Sequence, residues 1–247
     1  NRIIIDDVLL DDQSGKEMLK VTRLSAKFEI LPLFKGKITI SSVQLFGFNI
    51  NLNKKTPDSP PNFKFVLDAF ASKDTVKTKK DIDLRINSIL IRRGKLSYDV
   101  LSEEETPGKF NPQHIKLHNI IANISLKALQ NDSVNAAIKR LSVDEQSGFE
   151  LRKLSLKVIA NNKGMKIENF AIEMPGTEMK MDTIRMEYDS LKALNHFADN
   201  VRFSFRTLPS HVTLNDISAF VPALSNFKEK LDLNIDVEGT LNQLNCR

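Results

Sequence analysis

The sequence predicts a mostly β chain with a few short helices, built as a long series of antiparallel strands that each carry one apolar and one strongly polar face. Three observations predict it. Short stretches of strict alternation return from end to end: Leu24, Ala26, Phe28 and Ile30 interleave with Arg23, Ser25, Lys27 and Glu29, and Leu231, Leu233, Ile235 and Val237 with Asp232, Asn234, Asp236 and Glu238. A period of two puts alternate side chains on opposite faces of a strand. Turn signals such as Gln146-Ser147-Gly148, Asn161-Asn162-Lys163-Gly164 and Pro175-Gly176 separate the stretches. A loose repeat also runs through the chain. Ser42-Val43-Gln44-Leu45-Phe46-Gly47 is echoed by Ser88-Ile89-Leu90-Ile91-Arg92-Arg93-Gly94 and in part by Asn169-Phe170-Ala171-Ile172. Repetition favours an elongated, additive architecture over a closed globule.

In order along the chain, residues 2–10 read as a strand and Asp11 to Gly15 as a turn. Residues 18–30 form a strand with a bulge near Thr22-Arg23, where the parity slips. Leu31 to Gly36 breaks the alternation as a short helical turn, and two strands follow at 37–41 and 43–52. Residues 54–61 are a Pro-rich loop. Asn62 to Ala71 has helical spacing, with Phe63, Leu67 and Phe70 on one face and Asn62 as a cap. Residues 72–80 form a charged linker. Strands resume at 82–91 and 95–100, joined at Arg93-Gly94, and 102–112 is an acidic loop. Further strands are expected at 115–126, 134–143, 149–160, 165–174, 178–188, 201–206 and 231–237. Residues 190–199 and 215–227 read as helical, the second capped by Asn215 or Asp216 and interrupted by Pro222. The expected organisation is one elongated β-domain over 1–247, with an N-terminal unit at 1–71, the linker at 72–80 and continuing β repeats at 81–247.

Composition narrows the function classes. The 247 residues carry a net charge of +5, with Lys/Arg and Asp/Glu interspersed and no basic block of the kind that tracks phosphates. No nucleic-acid partner is expected. The one cysteine, Cys246, forms no intrachain disulfide and gives no vote on compartment. No run approaches the ~20 apolar residues of a membrane helix. The opening Asn1-Arg2-Ile3-Ile4-Ile5 reads as the start of a segment of a longer protein.

Few residues suggest chemistry. His114 and His118 have helical metal-ligand spacing, but the segment alternates as a strand, where positions four apart lie roughly 13 Å apart. They cannot share one ion. Ser225-Asn226-Phe227-Lys228 matches the Ser-x-x-Lys of acyl-transfer enzymes without its companion motifs, and reads as a helix end. Asp6-Asp7, Asp11-Asp12 and Glu103-Glu104-Glu105 read as solvated turns. The expectation is a protein that is not an enzyme and takes no cofactor or metal.

Phe28 to Leu45, with its Leu31-Pro32-Leu33-Phe34-Lys35-Gly36 elbow followed by Ile38-Thr39-Ile40 and Val43-Gln44-Leu45, resembles the N-terminal region of AsmA-like and TamB-like envelope proteins. Ile89 to Asp99, Asn169 to Ile172 with Pro175-Gly176-Thr177, and Asp216 to Pro222 with Val237-Glu238-Gly239-Thr240-Leu241 look like the same family. The Lys-, Asn- and Ile-rich tone is similar to Bacteroidota-type members. The resemblance implies a sheet curled into a groove, or taco, with an apolar inner face. It implies a periplasmic segment of a Gram-negative bacterium, tethered to the inner membrane by an anchor elsewhere in the chain. Its partners would be phospholipid moving toward the outer membrane, and an outer-membrane assembly partner. The lipid-facing positions would be Phe28, Ile30, Ile38, Ile40, Val43, Leu45, Ile89, Ile91, Leu154, Leu156, Ile167, Phe170 and Ile172. Two other readings compete. One is a non-catalytic β-structural or interaction module whose core covers itself. The other is an outer-membrane barrel, disfavoured by the lack of Trp, the two Tyr and the helical interruptions.

Overall fold

The computed structural model describes residues 1–30, 39–71, 85–130 and 133–246. The chain is mostly β, as the alternation predicts. Its strands are β1 (Arg2–Asp11), β2 (Glu17–Glu29), β3 (Thr39–Lys54), β4 (Arg85–Ile86), β5 (Ser88–Val100), β6 (His114–Gln130), β7 (Ser133–Glu145) and β8 (Glu150–Ala160). They continue as β9 (Gly164–Glu173), β10 (Glu178–Glu187), β11 (Arg202–Arg206), β12 (Ser210–Thr213), β13 (Lys230–Leu233), β14 (Asp236–Thr240) and β15 (Gln243–Cys246). Two short helices, α1 (Lys64–Ala71) and α2 (Phe197–Asn200), interrupt them.

The strand order is β1-β2-β3-β5-β6-β7-β8-β9-β10-β11-β14-β15, with β4 beside β3 and β12 joining β10 to β13. From β5 to β11 each strand pairs with the next in sequence, which is what hairpin turns dictate; β3–β5, β10–β12 and β11–β14 join strands that are not consecutive. The β7–β8 turn closes through Glu145 N–H donating to the Phe149 carbonyl, with Gly148 at φ 97°. Between β8 and β9, Asn161 Oδ1 accepts from the Lys163 and Gly164 amides. β3 breaks the antiparallel rule: it runs parallel to β4, at Thr39↔Arg85 and Ile40↔Ile86, and to β5, from Val43↔Ile89 to Lys54↔Val100. A parallel pair needs a crossover connection, and α1 lies in it.

Contacts divide the chain into two units. The first is Asn1–Ala122 with Val143–Phe149, and the second is Asn123–Ser142 with Glu150–Arg247. The core of the first is Val21, Phe48 and Ile120, all under 10% exposed, with Val8, Leu19, Leu24, Leu45, Ile50, Ile91, Leu96, Leu117 and Val143 packed around them.

Several local expectations differ from the structure. β3 is one continuous strand where two were expected, and so is β5. Arg93 and Gly94 do not turn the chain; Arg93 takes a left-handed φ of 55° inside the strand. Asn62 does not cap α1. Its side chain accepts from the Asn53 amide and donates to the Asn51 carbonyl, tying the loop to β3. Residues 215–227 form two short 3-10 turns, Leu214–Ile217 and Pro222–Leu224, because Pro222 lacks an amide hydrogen and starts a new turn. The expected strand 231–237 splits at Asn234 into β13 and β14, which pair with β12 and β11. Residues 191–200 are helical as expected. The expected linker 72–80, the 31–36 turn and Ile38 lie outside the described residues.

Candidate functional site

The first unit builds an apolar face from rungs of paired residues, since directly paired positions share a face of the sheet. Ile3, Ala26, Val43 and Ile89 form one rung across β1, β2, β3 and β5. Ile5, Leu24, Leu45 and Ile91 form the next. The third rung holds Val8, Val21 and Phe48, and the fourth Leu10, Leu19, Ile50 and Leu96. Leu24 and Val21 are three apart, as are Leu45 and Phe48, yet all four belong to one cluster. A regular strand would put an odd spacing on opposite faces. The parity slips between the second and third rungs, at left-handed residues Asp7 (φ 54°) in β1, Gly47 (φ 64°) in β3 and Arg93 in β5. In β6 the same step separates Leu117 from Ile120, at Asn119 (φ 53°). β2 slips with its neighbours because the register stays one-to-one on both sides, Asp6↔Arg23 and Val8↔Val21. β2 carries no bulge near Thr22-Arg23, where one was expected: the pairing there is one-to-one on both sides, and its register shift against β3 lies between Lys27 and Phe28.

Gly94 explains the tight centre. A Cβ there would lie 2.4 Å from Phe48 Cε1 and Cζ and 3.0 Å from Ile120 Cβ. The Phe48 ring lies over the glycine, filling the space a side chain would take.

The second unit repeats the device. Leu154, Ile172 and Met179 pair across β8, β9 and β10, and so do Val158, Ile167 and Ile184. Phe170 pairs with Met181 between these rungs. Asn169, at φ 55°, gives β9 one extra residue opposite β8, so that Phe170 and Ile167 stay on the apolar side. Ala160, Met165, Met186 and Phe203 continue the face. One end of it is covered: Phe197 of α2 stacks on Phe203 at 6.2 Å, and Phe203 on Phe205 at 6.3 Å.

The opposite faces are laced by ion pairs. Arg23 bridges Asp6 at 2.6 Å in the first unit. In the second, Lys157 and Lys166 both reach Glu168, and Lys153 reaches Glu173. The bonds from Lys157 and Lys166 hold the Glu168 carboxyl down to about 2. These partly exposed pairs keep the outer face hydrated and contribute little stability each.

The sequence-predicted positions fall as follows. Phe28 pairs with Ile40, Val43 with Ile89, and Leu45 with Ile91. All six are half-buried on the first unit's apolar face. Ile30 lies just past the end of β2 and is exposed. Leu154, Leu156, Ile167, Phe170 and Ile172 are half-buried in the second unit. The two sets belong to different units. Sequence reasoning missed Val8, Val21, Phe48 and Ile120 at the centre, and Met165, Met179, Met181, Ile184 and Met186. The alternation Met179-Lys180-Met181 was the available signal.

His118 is half exposed and 3.8 Å from Asp144, and Ser225 and Lys228 are exposed in the loop between β12 and β13. His114 lies with Asp99 and Glu105, three ligand-type atoms within 4.8 Å. Both its ring nitrogens are already committed: Nδ1 to Asp99 Oδ1 and Nε2 to the Glu103 carbonyl, each at 2.9 Å. Lys116 holds Glu105 at 2.9 Å. The arrangement is an ion-pair network closing the β5–β6 loop. Among the described residues, no helix is long and apolar enough to cross a membrane.

No protein-family model, curated protein or solved structure matches the chain.

Proposed function

We propose that this chain is a periplasmic segment of an AsmA/TamB-like envelope protein, tethered to the inner membrane by another part of its chain. On this reading its apolar sheet faces hold phospholipid acyl chains on their way to the outer membrane. The observation that supports the reading is the state of the paired apolar rungs. Beside the buried Val21, Phe48, Val100, Ile120 and Ala122, the flanking rung residues Leu24, Leu45, Ile50, Ile91 and Leu96 are part-buried, and Ile3 and Ile5 of the edge strand β1 are about 50% exposed. Contiguous exposed apolar surface of this kind marks a place where something binds.

Acyl chains suit such a face. Each buried methylene contributes ~0.8 kcal/mol, so ten give about 8 kcal/mol before the cost of ordering the chain. The energy comes from non-directional burial, so binding is tolerant of headgroup type. The ion-paired faces stay in water. Catalysis has no role in this reading.

The test is native mass spectrometry with lipid extraction on protein purified without detergent. The expected result is about one or more phospholipids per chain, lost in Ile40→Asp while the circular dichroism spectrum is kept. A clean lipid-free mass from well-folded protein overturns it.

The tight Val21-Phe48-Ile120 packing favours a second reading, a structural or interaction module whose apolar residues are ordinary core. It predicts no lipid and a folding defect for the same substitution.

A further inference from the structure

The loop between β5 and β6, residues 101–113, is largely exposed, and Leu101 is 60% exposed. Two buried side chains hold it at its base: Asn111, whose Nδ2 donates to the Glu104 carbonyl and whose Oδ1 accepts from the Gln113 amide, and His114. His114 is 4% exposed, with Nδ1 at 2.9 Å from Asp99 Oδ1 and Nε2 at 2.9 Å from the carbonyl of Glu103. Both partners are pure acceptors: a carboxylate and a backbone carbonyl. A neutral imidazole has one N–H and one lone pair. It satisfies one partner and turns a lone pair on the other. Only the imidazolium bonds both.

The other groups around the ring set the balance. From the loop, Glu105 adds negative charge and is itself bonded by Lys116 of β6. From the β7 end, Glu145 accepts from the Lys116 amide at 3.4 Å, and Gln146 Nε2 donates to the His114 carbonyl at 2.9 Å. Two nearby carboxylates, Asp99 and Glu105, therefore face one competing cation, Lys116.

We propose that His114 is a proton-dependent latch. Charged, it ties the end of β5 to the loop through Asp99 and the Glu103 carbonyl; neutral, it lets go of one partner and releases residues 101–113. The ring is held above the ordinary value of 6.5, first by the Asp99 bond, with the Glu103 carbonyl and the charges of Asp99 and Glu105 adding to it against desolvation. A raised folded-state value means the latch is fully closed below about 6.5 and opens as the pH rises through the raised value.

The experiment combines nitrogen NMR of the His114 ring with hydrogen exchange of residues 101–113 across pH, each rate divided by its intrinsic base-catalysed rate. The expected result is both ring nitrogens protonated at pH 6.5. Loop protection should then fall about tenfold for each pH unit by which the ring is raised, while amides in β2 and β3 hold. Asp99→Asn is expected to move the midpoint down, and His114→Gln to leave the loop poorly protected at every pH. A neutral ring at pH 6 in a protected loop overturns the latch. So does a midpoint that Asp99→Asn leaves unmoved, a readout that does not depend on whether His114→Gln folds.

Discussion

Replacing Gly94 with alanine tests the packing of the first unit by its sign. Glycine in a strand interior is entropically unfavourable, and adding one methyl at an open site stabilises by roughly 0.5–1 kcal/mol. Gly94 needs no left-handed backbone, so strain of that kind does not enter. The site is full. The new carbon would lie 2.4 Å from two atoms of the Phe48 ring, and the ring is held between Val21 and Ile120 with 6% exposure. It must rotate off its rotamer or lift the rung, and overpacking of this kind costs about 1–3 kcal/mol. The expected net effect of Gly94→Ala is therefore destabilisation by about 1–2 kcal/mol, a fall in Tm of roughly 2–8 °C for a chain of this size. Urea unfolding of the wild type, Gly94→Ala, Phe48→Leu and the double variant forms a cycle. Leucine vacates the space the methyl needs, so the double variant should cost less than the sum by at least about 0.5 kcal/mol. A stabilised Gly94→Ala, or strict additivity, would refute the glycine-under-ring argument.

Two other outcomes follow from the local geometry. Asn169 at φ 55° makes the β9 bulge, so Asn169→Val should cost about 1–2 kcal/mol and Asn169→Gly almost nothing in the same urea assay; equal effects would show that the backbone there is not left-handed. Asp12 takes the Ser14 hydroxyl and the Lys16 and Ser14 amides on Oδ1, which lowers its carboxyl from 3.8 to about 2. Its stabilisation is present above the ordinary value and lost as the pH falls from about 4 through 2. The urea midpoint of Asp12→Ala should accordingly fall less steeply than that of the wild type over this range.

The strands were legible because their polar positions are charged or amide, so each period-two stretch declares two unlike faces. The slip at Thr22-Arg23 was legible for the same reason: Leu24 and Val21 cannot both be apolar-facing in a regular strand. What could not be read is non-local. Arg93-Gly94 carries the local signature of a turn, and only the Phe48 ring lying over Gly94 explains why the strand continues. The parallel pairing of β3 with β5 is a register between residues more than forty apart, and no local pattern encodes it. Ser210 to Thr213 is too short to show a period, yet it pairs with β10 and β13. The apolar positions of the candidate faces were half found. Alternation gives which residues share a strand face, but the membership of the buried centre depends on which rung lies over a glycine.

The row of left-handed residues bears on the proposed function. Without it, Val8, Phe48 and Ile120 would point to the same side as Asp6, Arg23 and Arg92, and the apolar face would end at the Ile5-Leu24-Leu45-Ile91 rung. Left-handed backbone at a non-glycine residue costs about 1–2 kcal/mol, least for Asn and Asp. The chain accepts that cost at Asp7, Arg93, Asn119 and Asn169. If the apolar residues were needed only as a buried core, a shorter face covered by α1 or a second sheet would serve at lower cost. Rungs are instead extended along the strands and left part-buried beyond the centre. A face kept continuous along its strands, with flanking rungs that are only part-buried among the described residues, is what the proposed acyl-chain reading requires.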